Sequence, residues 1–404
     1  MNKNGRRRHT RIRTLFCLEN RVNSHKKLIF AAVTAALSGA VHAQSSSVSL
    51  YGVVDTGIDF TNNSGGKQLW HMQDGTYDGL YGSRWGLKGE EDLGGGLKAI
   101  FKLESGFNVV NGTMAQGSRL FGRQAWVGLA DDRFGTVTLG RQYDSIVDYV
   151  QPMTLTGNWG GLAFHAGDID NTANSFRVNN AIKYASPKIA GVTFGGMLAL
   201  SNSSADGTSK IGMWSAGAAY SIGNLNFGAA YFYAKQPATL FTDGDFIGNT
   251  TGAAVGATGA FSYVGNPSNE QIIGAGATWL LGAATLGFNY TNTRFDDANG
   301  TTAQVRFDDY EAWGSYALTQ AATIAAGYSY TDGSVGYSSA RPKYHQINLA
   351  ADYKLSKRTE VYLSAAYQIA AGASQPAAIF NGVVGDASSS ARQLGLRVGI
   401  AHKF

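Results

Sequence analysis

Residues 393–404 read QLGLRVGIAHKF, and the alternation in that stretch decides the fold. Leu394, Leu396, Val398, Ile400, His402 and Phe404 share one parity; Gln393, Gly395, Arg397, Gly399, Ala401 and Lys403 share the other. Successive strand side chains point to opposite faces, so the segment has one apolar face and one small or charged face. Such a strand suits either a half-buried soluble sheet or the wall of a membrane barrel.

The same pattern recurs along the chain. SLYGVVDTGIDF (49–60) sets Leu50, Val54, Ile58 and Phe60 against Tyr51, Asp55 and Asp59. SRWGLKGEEDL (83–93) sets Trp85 and Leu87 against Arg84, Lys88 and Glu90. LKAIFKLESGF (97–107) sets Leu97, Ala99, Phe101 and Leu103 against Lys98, Lys102 and Glu104. After RLFGRQAWVGL and TVTLGRQYD comes an irregular stretch from about Ser145 to Asn180, and alternating segments then continue to the last residue. They amount to about sixteen strands. Short turns (DLGGG, DDRFG, SPKIAG, SIGN, LSKRT) alternate with long polar loops such as 236–268, the asymmetry expected of an outer-membrane barrel.

The N-terminus sets the compartment. HKKLIFAAVTAALSGAVHAQ (25–44) has a basic pair, an apolar run too short to span a bilayer, and small residues before a cleavage point. Residues 1–43 therefore read as a signal peptide with Val41-His42-Ala43 as the cleavage box. Its basic lead-in is long, and Val22 is an alternative start. The formal charge of +5 belongs to this leader. Without it, 24 basic residues face 27 acidic ones, a net of about −3, so no nucleic-acid partner follows. Cys17, the single cysteine, leaves with the leader, and the exported chain cannot use disulfides. Residues 44–404 form one domain with 53 glycines in the whole chain, six prolines and no membrane-length apolar run. An all-β, transmembrane, antiparallel 16-stranded barrel meets these constraints. Its terminal strand is expected to pair with the first, placing Phe404 at closure.

At AQSSSVSLYGVVDTG, SRWGLKGEEDLGGGLKAIFKLE, FGRQAWVGL, FGTVTLGRQYD, RVNNAIKYASP and Phe404 the sequence resembles the general porins of Gram-negative outer membranes, in particular those of Neisseria and Burkholderia relatives. The resemblance covers residues 44–404. It implies a homotrimer of water-filled barrels embedded in outer-membrane lipid. Ions and small hydrophilic solutes would diffuse passively, with no cofactor and no catalysis. It also implies an external loop folded into each barrel, at roughly 144–177 here.

Selectivity in such a pore comes from charges at its narrowest point. The resemblance puts basic residues at Arg84, Arg123 and Arg177, with acids opposite on the loop; Asp148, Asp168 and Asp170 are available, and wall parity adds Asp55. Arg141 shares parity with Val137 and Leu139 and is read as bracing the loop base, together with Trp159. The loop's usual acid-aromatic-Gly-Gly segment reads Asn158-Trp159-Gly160-Gly161 here, a departure that argues for anions while the loop acids argue for cations. Each lumen arginine has a bland competitor, a solvated wall residue paired to a nearby acid. Rival functions remain: an enzyme barrel, an adhesin, or a channel dedicated to one sugar or phosphate. Of the histidines left after cleavage, His345 and His402 face lipid by parity, His71 falls in a predicted loop, and His165 lies in the infolded loop. None sits by a serine in a way that suggests a nucleophile. TDGDFIGN (242–249) is read as turn chemistry rather than a calcium loop.

Overall fold

The structure, a computed structural model, describes residues 46–201, 211–241, 259–373, 376–379 and 385–404. The expected leader and the TDGDFIGN loop lie outside the described residues. The chain forms one sheet of strands β1 (Ser46–Ser64), β2 (Lys67–Asp74), β3 (Arg84–Gly94), β4 (Leu97–Gly106), β5 (Gln124–Asp131), β6 (Gly135–Gln142), β7 (Val178–Ala185), β8 (Val192–Leu200), β9 (Ile211–Ile222), β10 (Leu225–Lys235), β11 (Asn269–Leu281), β12 (Ala284–Asp296), β13 (Val305–Ala317), β14 (Ala322–Val335), β15 (Pro342–Lys354), β16 (Thr359–Gly372) and β17 (Arg392–Lys403).

Both β2 and β3 pair with the long β1, so they form a single stave interrupted between residues 75 and 83. The wall thus has sixteen staves. β1 and β17 pair antiparallel from Val53↔Lys403 to Thr61↔Gly395 and close it. Gly52 and Phe404 extend that pairing by exchanging both N–H···O bonds at 3.0 Å. Closure leaves no sheet edge, which in lipid would cost several kcal/mol per unsatisfied backbone group.

The parity read from sequence sorts the faces. Leu50, Ile58, Val127, Leu129, Leu139, Phe288, Leu349 and Val398 are exposed on the outer surface, while Asp55, Glu104, Gln346, Gln393 and Arg397 are buried inside. This is the inverse of a soluble protein and the arrangement lipid requires. His71 lies within β2, not in a loop as the sequence suggested.

The barrel interior is partly filled by residues 143–177, the expected infolded segment. Ile146, Val150, Ile169 and Phe176 pack against inward-facing Phe232, Ile272 and Phe295, and Phe176 stacks on Phe241 with ring centroids 4.1 Å apart. Small inward residues make room for it. A Cβ at Gly228 would collide with the Tyr149 carbonyl oxygen, and one at Gly276 would stand 2.7 Å from Met153 Cβ. The high glycine content is in part the imprint of this loop on the wall.

Candidate functional site

Two segments enter the lumen. One is the 75–83 excursion, whose alternation is broken by Gly75, Gly79 and Gly82. The other is the 143–177 segment, folded as helical turns at Ser145–Tyr149, Gln151–Met153, Leu155–Trp159, Gly161–Ala163 and Ala166–Asp168. Asp144 caps the first turn by accepting from the Ile146 N–H, and Thr154 caps the third through Gly157. The two segments meet where the Gly161 N–H donates to the Gly79 carbonyl at 2.7 Å.

The cavity they leave, about 430 Å³, is lined by Arg84, Lys102, Arg123 and Arg177, by the carboxyl groups of Glu104 and Asp168, and by uncharged groups including Tyr77, Tyr81, Gln151, Thr156 and Asn158. Glu104 is the hub of the basic cluster. It accepts from Arg123 Nε at 3.0 Å, Tyr51 Oη at 2.8 Å and Tyr143 Oη at 3.2 Å. Lys102 Nζ and Arg84 Nε stand 3.3 and 3.9 Å from Oε2, the oxygen that Tyr51 also reaches. Arg123 also donates to Tyr143, whose ring lies 5.8 Å from the Arg177 guanidinium. One carboxylate contacts three of these cations and orients them without cancelling their charge, while Arg177 sits over the Tyr143 ring. The lining therefore has a positive local potential.

The structure brings Arg84, Arg123 and Arg177 together at this cavity, but the acids expected to oppose them are disposed otherwise. Asp55 points inward as parity requires, yet is fully covered, accepting from the Tyr81 N–H at 2.8 Å and Tyr362 Oη at 2.6 Å. Asp148 pairs with Lys183 at 2.5 Å. Asp170 is buried against His165 at 2.6 Å and Thr291 at 2.6 Å. For Asp55 and Asp170 the expected acidic face is corrected, because internal partners bury each carboxylate; Asp148 stays partly exposed, but its charge is matched by Lys183. Asp168 does line the cavity, but it accepts from the Ala173 and Ser175 N–H groups, and burial pushes its carboxyl up to about 7.

Arg141 is turned inward by a register break at Gly140, whose φ of +138° interrupts the alternation. It donates to the Gly122 carbonyl at 2.6 Å and to Asn179 Oδ1 at 2.7 Å, tying together the chain on both sides of the eyelet. Trp159 packs half-buried on Leu155, Ala163, Trp313 and Ala325.

The sequence reading missed the 75–83 excursion and its anchor. Arg397, fully buried, donates to Asp59 at 2.8 Å, Asp78 at 2.7 Å and Tyr362 Oη at 2.7 Å. Burial first, then the neighbouring Asp59 and Asp55, raise the Asp78 carboxyl well above its ordinary range against the pull of Arg397. The signal was present: within 393–404 one arginine stands on a parity otherwise dominated by Gly and Ala.

Comparison with known proteins matches this geometry. A profile described as Gram-negative porin covers residues 31–370. An outer membrane porin protein of Bordetella pertussis is 36% identical over 227 residues, 51% of this chain and 58% of that protein, so on that alignment the chain spans little more than half of the relative. Outer membrane porin protein 32 of Delftia acidovorans is 31% identical over 388 residues, 94% of this chain and 100% of that protein. Among solved structures, the anion-selective porin from Comamonas acidovorans superposes with a TM-score of 0.69 at 25% identity, covering 89% of this chain and 100% of that one. An outer membrane protein of Vibrio cholerae, in its trimer form, shares the fold with a TM-score of 0.64 at 16% identity, covering 89% and 100%.

Proposed function

This chain belongs to the Gram-negative porin family, channels for passive diffusion across the outer membrane, and on that premise we propose that its eyelet favours small anions over cations. The observation that carries the reading is the gathering of Arg84, Lys102 and Arg123 on Glu104, with Arg177 in the same lining, while Asp55 and Asp170 are buried in internal contacts and Asp148 is ion-paired to Lys183. Asn158, where the resemblance leads one to expect an acid, adds a neutral amide to the lining. Its side chain donates to the Thr154 carbonyl at 2.7 Å and so stiffens the loop. The similarity to a porin described as anion-selective supports the same preference.

Reconstitution of the mature protein in a planar bilayer with a salt gradient tests this. The expected outcome is stepwise conductance with a reversal potential on the anion side. A cation-side reversal would shift control to acids of the vestibules and refute the eyelet reading. We also propose that the barrels assemble as homotrimers, supported by the trimer form of the Vibrio relative. Cross-linking of unheated protein should give a three-chain species as the limit product. The 1–43 leader is proposed as the export signal; N-terminal sequencing of the outer-membrane protein should begin at Gln44. Catalysis gains no support from His165, whose ring is fully buried among carboxylates and not presented to solute.

A further inference from the structure

Between the infolded loop and β13, three side chains each keep one atom without a hydrogen-bond partner among the described residues: His165 Nε2, Asp309 Oδ2 and Glu311 Oε2. All three residues are at most 1% exposed. The other polar atom of each is held firmly. His165 Nδ1 bonds Asp170 Oδ2 at 2.6 Å, and that oxygen also receives the Thr291 hydroxyl at 2.6 Å. Thr331 donates to Asp309 Oδ1, while the Leu155 N–H and Asn289 Nδ2 donate to Glu311 Oε1 at 2.8 and 2.5 Å.

An imidazole locked by a carboxylate on Nδ1 and aimed with a bare Nε2 is the arrangement that orients histidine toward a metal. His165 Nε2 and Glu311 Oε2 stand 3.6 Å apart. Two ligands of a tetrahedral zinc ion, each about 2.0–2.2 Å from the metal, stand roughly 3.3–3.6 Å apart. Nitrogen and oxygen atoms of His165, Asp170 and Asp309 also gather within 4.8 Å of one another. Charge points the same way. One imidazolium would leave the Asp170, Asp309 and Glu311 carboxylates under-compensated in a fully buried site, a state proteins relieve with a proton or a cation.

We propose that His165, Asp309 and Glu311 bind a divalent transition-metal ion of the zinc class, with Asp170 positioning the imidazole. The ion cross-links the infolded loop to β13, so the loop that frames the eyelet is pinned to the wall by a metal bond. Because the ligands are buried, the ion enters as the barrel folds. The proposal does not depend on which ions the pore prefers.

The test refolds the full mature chain in detergent with zinc chloride, or with EDTA, and removes free metal by gel filtration. One zinc per chain, retained and measured by emission spectroscopy, is the expected result. Crystals of the zinc-refolded protein should show anomalous scattering beside His165, a readout that needs no variant. His165→Gln and Asp309→Asn, checked for folding by heat-modifiable gel mobility, should weaken zinc binding at least about tenfold. Zinc no higher than in the EDTA sample would overturn the proposal and leave a proton-bridged carboxylate cluster. Bound zinc unaffected by both variants, with anomalous density at His345 or His402, would overturn it too.

Discussion

Glu104 is the residue around which the eyelet is organised, and its neighbours set the most direct prediction. Removing one cation, as in Arg84→Gln, Arg123→Gln or Arg177→Gln, should move the bilayer reversal potential toward the cation side. A unit charge a few ångströms from a permeating ion in water-like surroundings is worth about 1 kcal/mol, so the permeability ratio should change by up to about fivefold. High salt should shrink the effect. An unchanged ratio in all three variants would remove the eyelet from control of selectivity. Asp144 provides a pH dependence. Burial pushes its carboxyl up to about 6, with the Ile146 N–H pulling the other way. The folded protein therefore holds this proton more tightly than the unfolded chain does. The associated stability is complete below about pH 4 and lost as pH rises through about 6. Asp144→Asn should flatten the fall in unfolding free energy from urea titrations between pH 4.5 and 8 by at most about 3 kcal/mol. Parallel curves for variant and wild type would contradict this. The arginines could be read from the sequence by parity and resemblance, but the fate of the acids could not. Whether a carboxylate faces the lumen or is capped by Tyr81, Lys183 or His165 depends on partners 26 residues or more away for Asp55 and Asp148, and, for Asp170, on how the loop curls back on itself.

Two elements narrow the channel, and each depends on one structural device. The 75–83 excursion hangs on Arg397. Arg397→Ala would leave Asp55, Asp59 and Asp78 buried without their cation, at a cost of roughly 3–5 kcal/mol. The expected outcome is a lower urea midpoint together with larger single-channel conductance as the excursion loosens. A stable variant of wild-type conductance would show that the excursion is held by its backbone contacts alone. The infolded loop relies on Gly228 of β10, where the Tyr149 carbonyl lies against the wall. Gly228→Val forces a side chain into the space of the Tyr149 carbonyl, so the loop must shift, and conductance should change while strand content by circular dichroism does not. The sequence revealed the loop as a break in alternation about 35 residues long. It did not reveal the excursion, because residues 67–74 read as loop, and only their pairing with β1 makes them one stave with 84–94.

At the scale of the whole molecule, closure governs stability. Deleting residues 392–404 would leave β1 and β16 as open edges, and refolding into detergent should yield no heat-modifiable barrel. The sequence by itself determined the class, the number of staves, the lipid-facing set and the basic complement of the pore. Strand parity is a local property with a period of two residues, and lipid imposes it on every stave. Only the tertiary structure decided where each inward charge resides: Glu104 gathering its cations, Arg397 holding three carboxylates, and His165 set between Asp170 and Glu311 with Asp309 beside it. Inside a barrel every strand sends side chains to the same narrow lumen, so a residue's partner is chosen by curvature and by the path of the inserted segments. Those are non-local quantities, and no stretch of alternating residues encodes them.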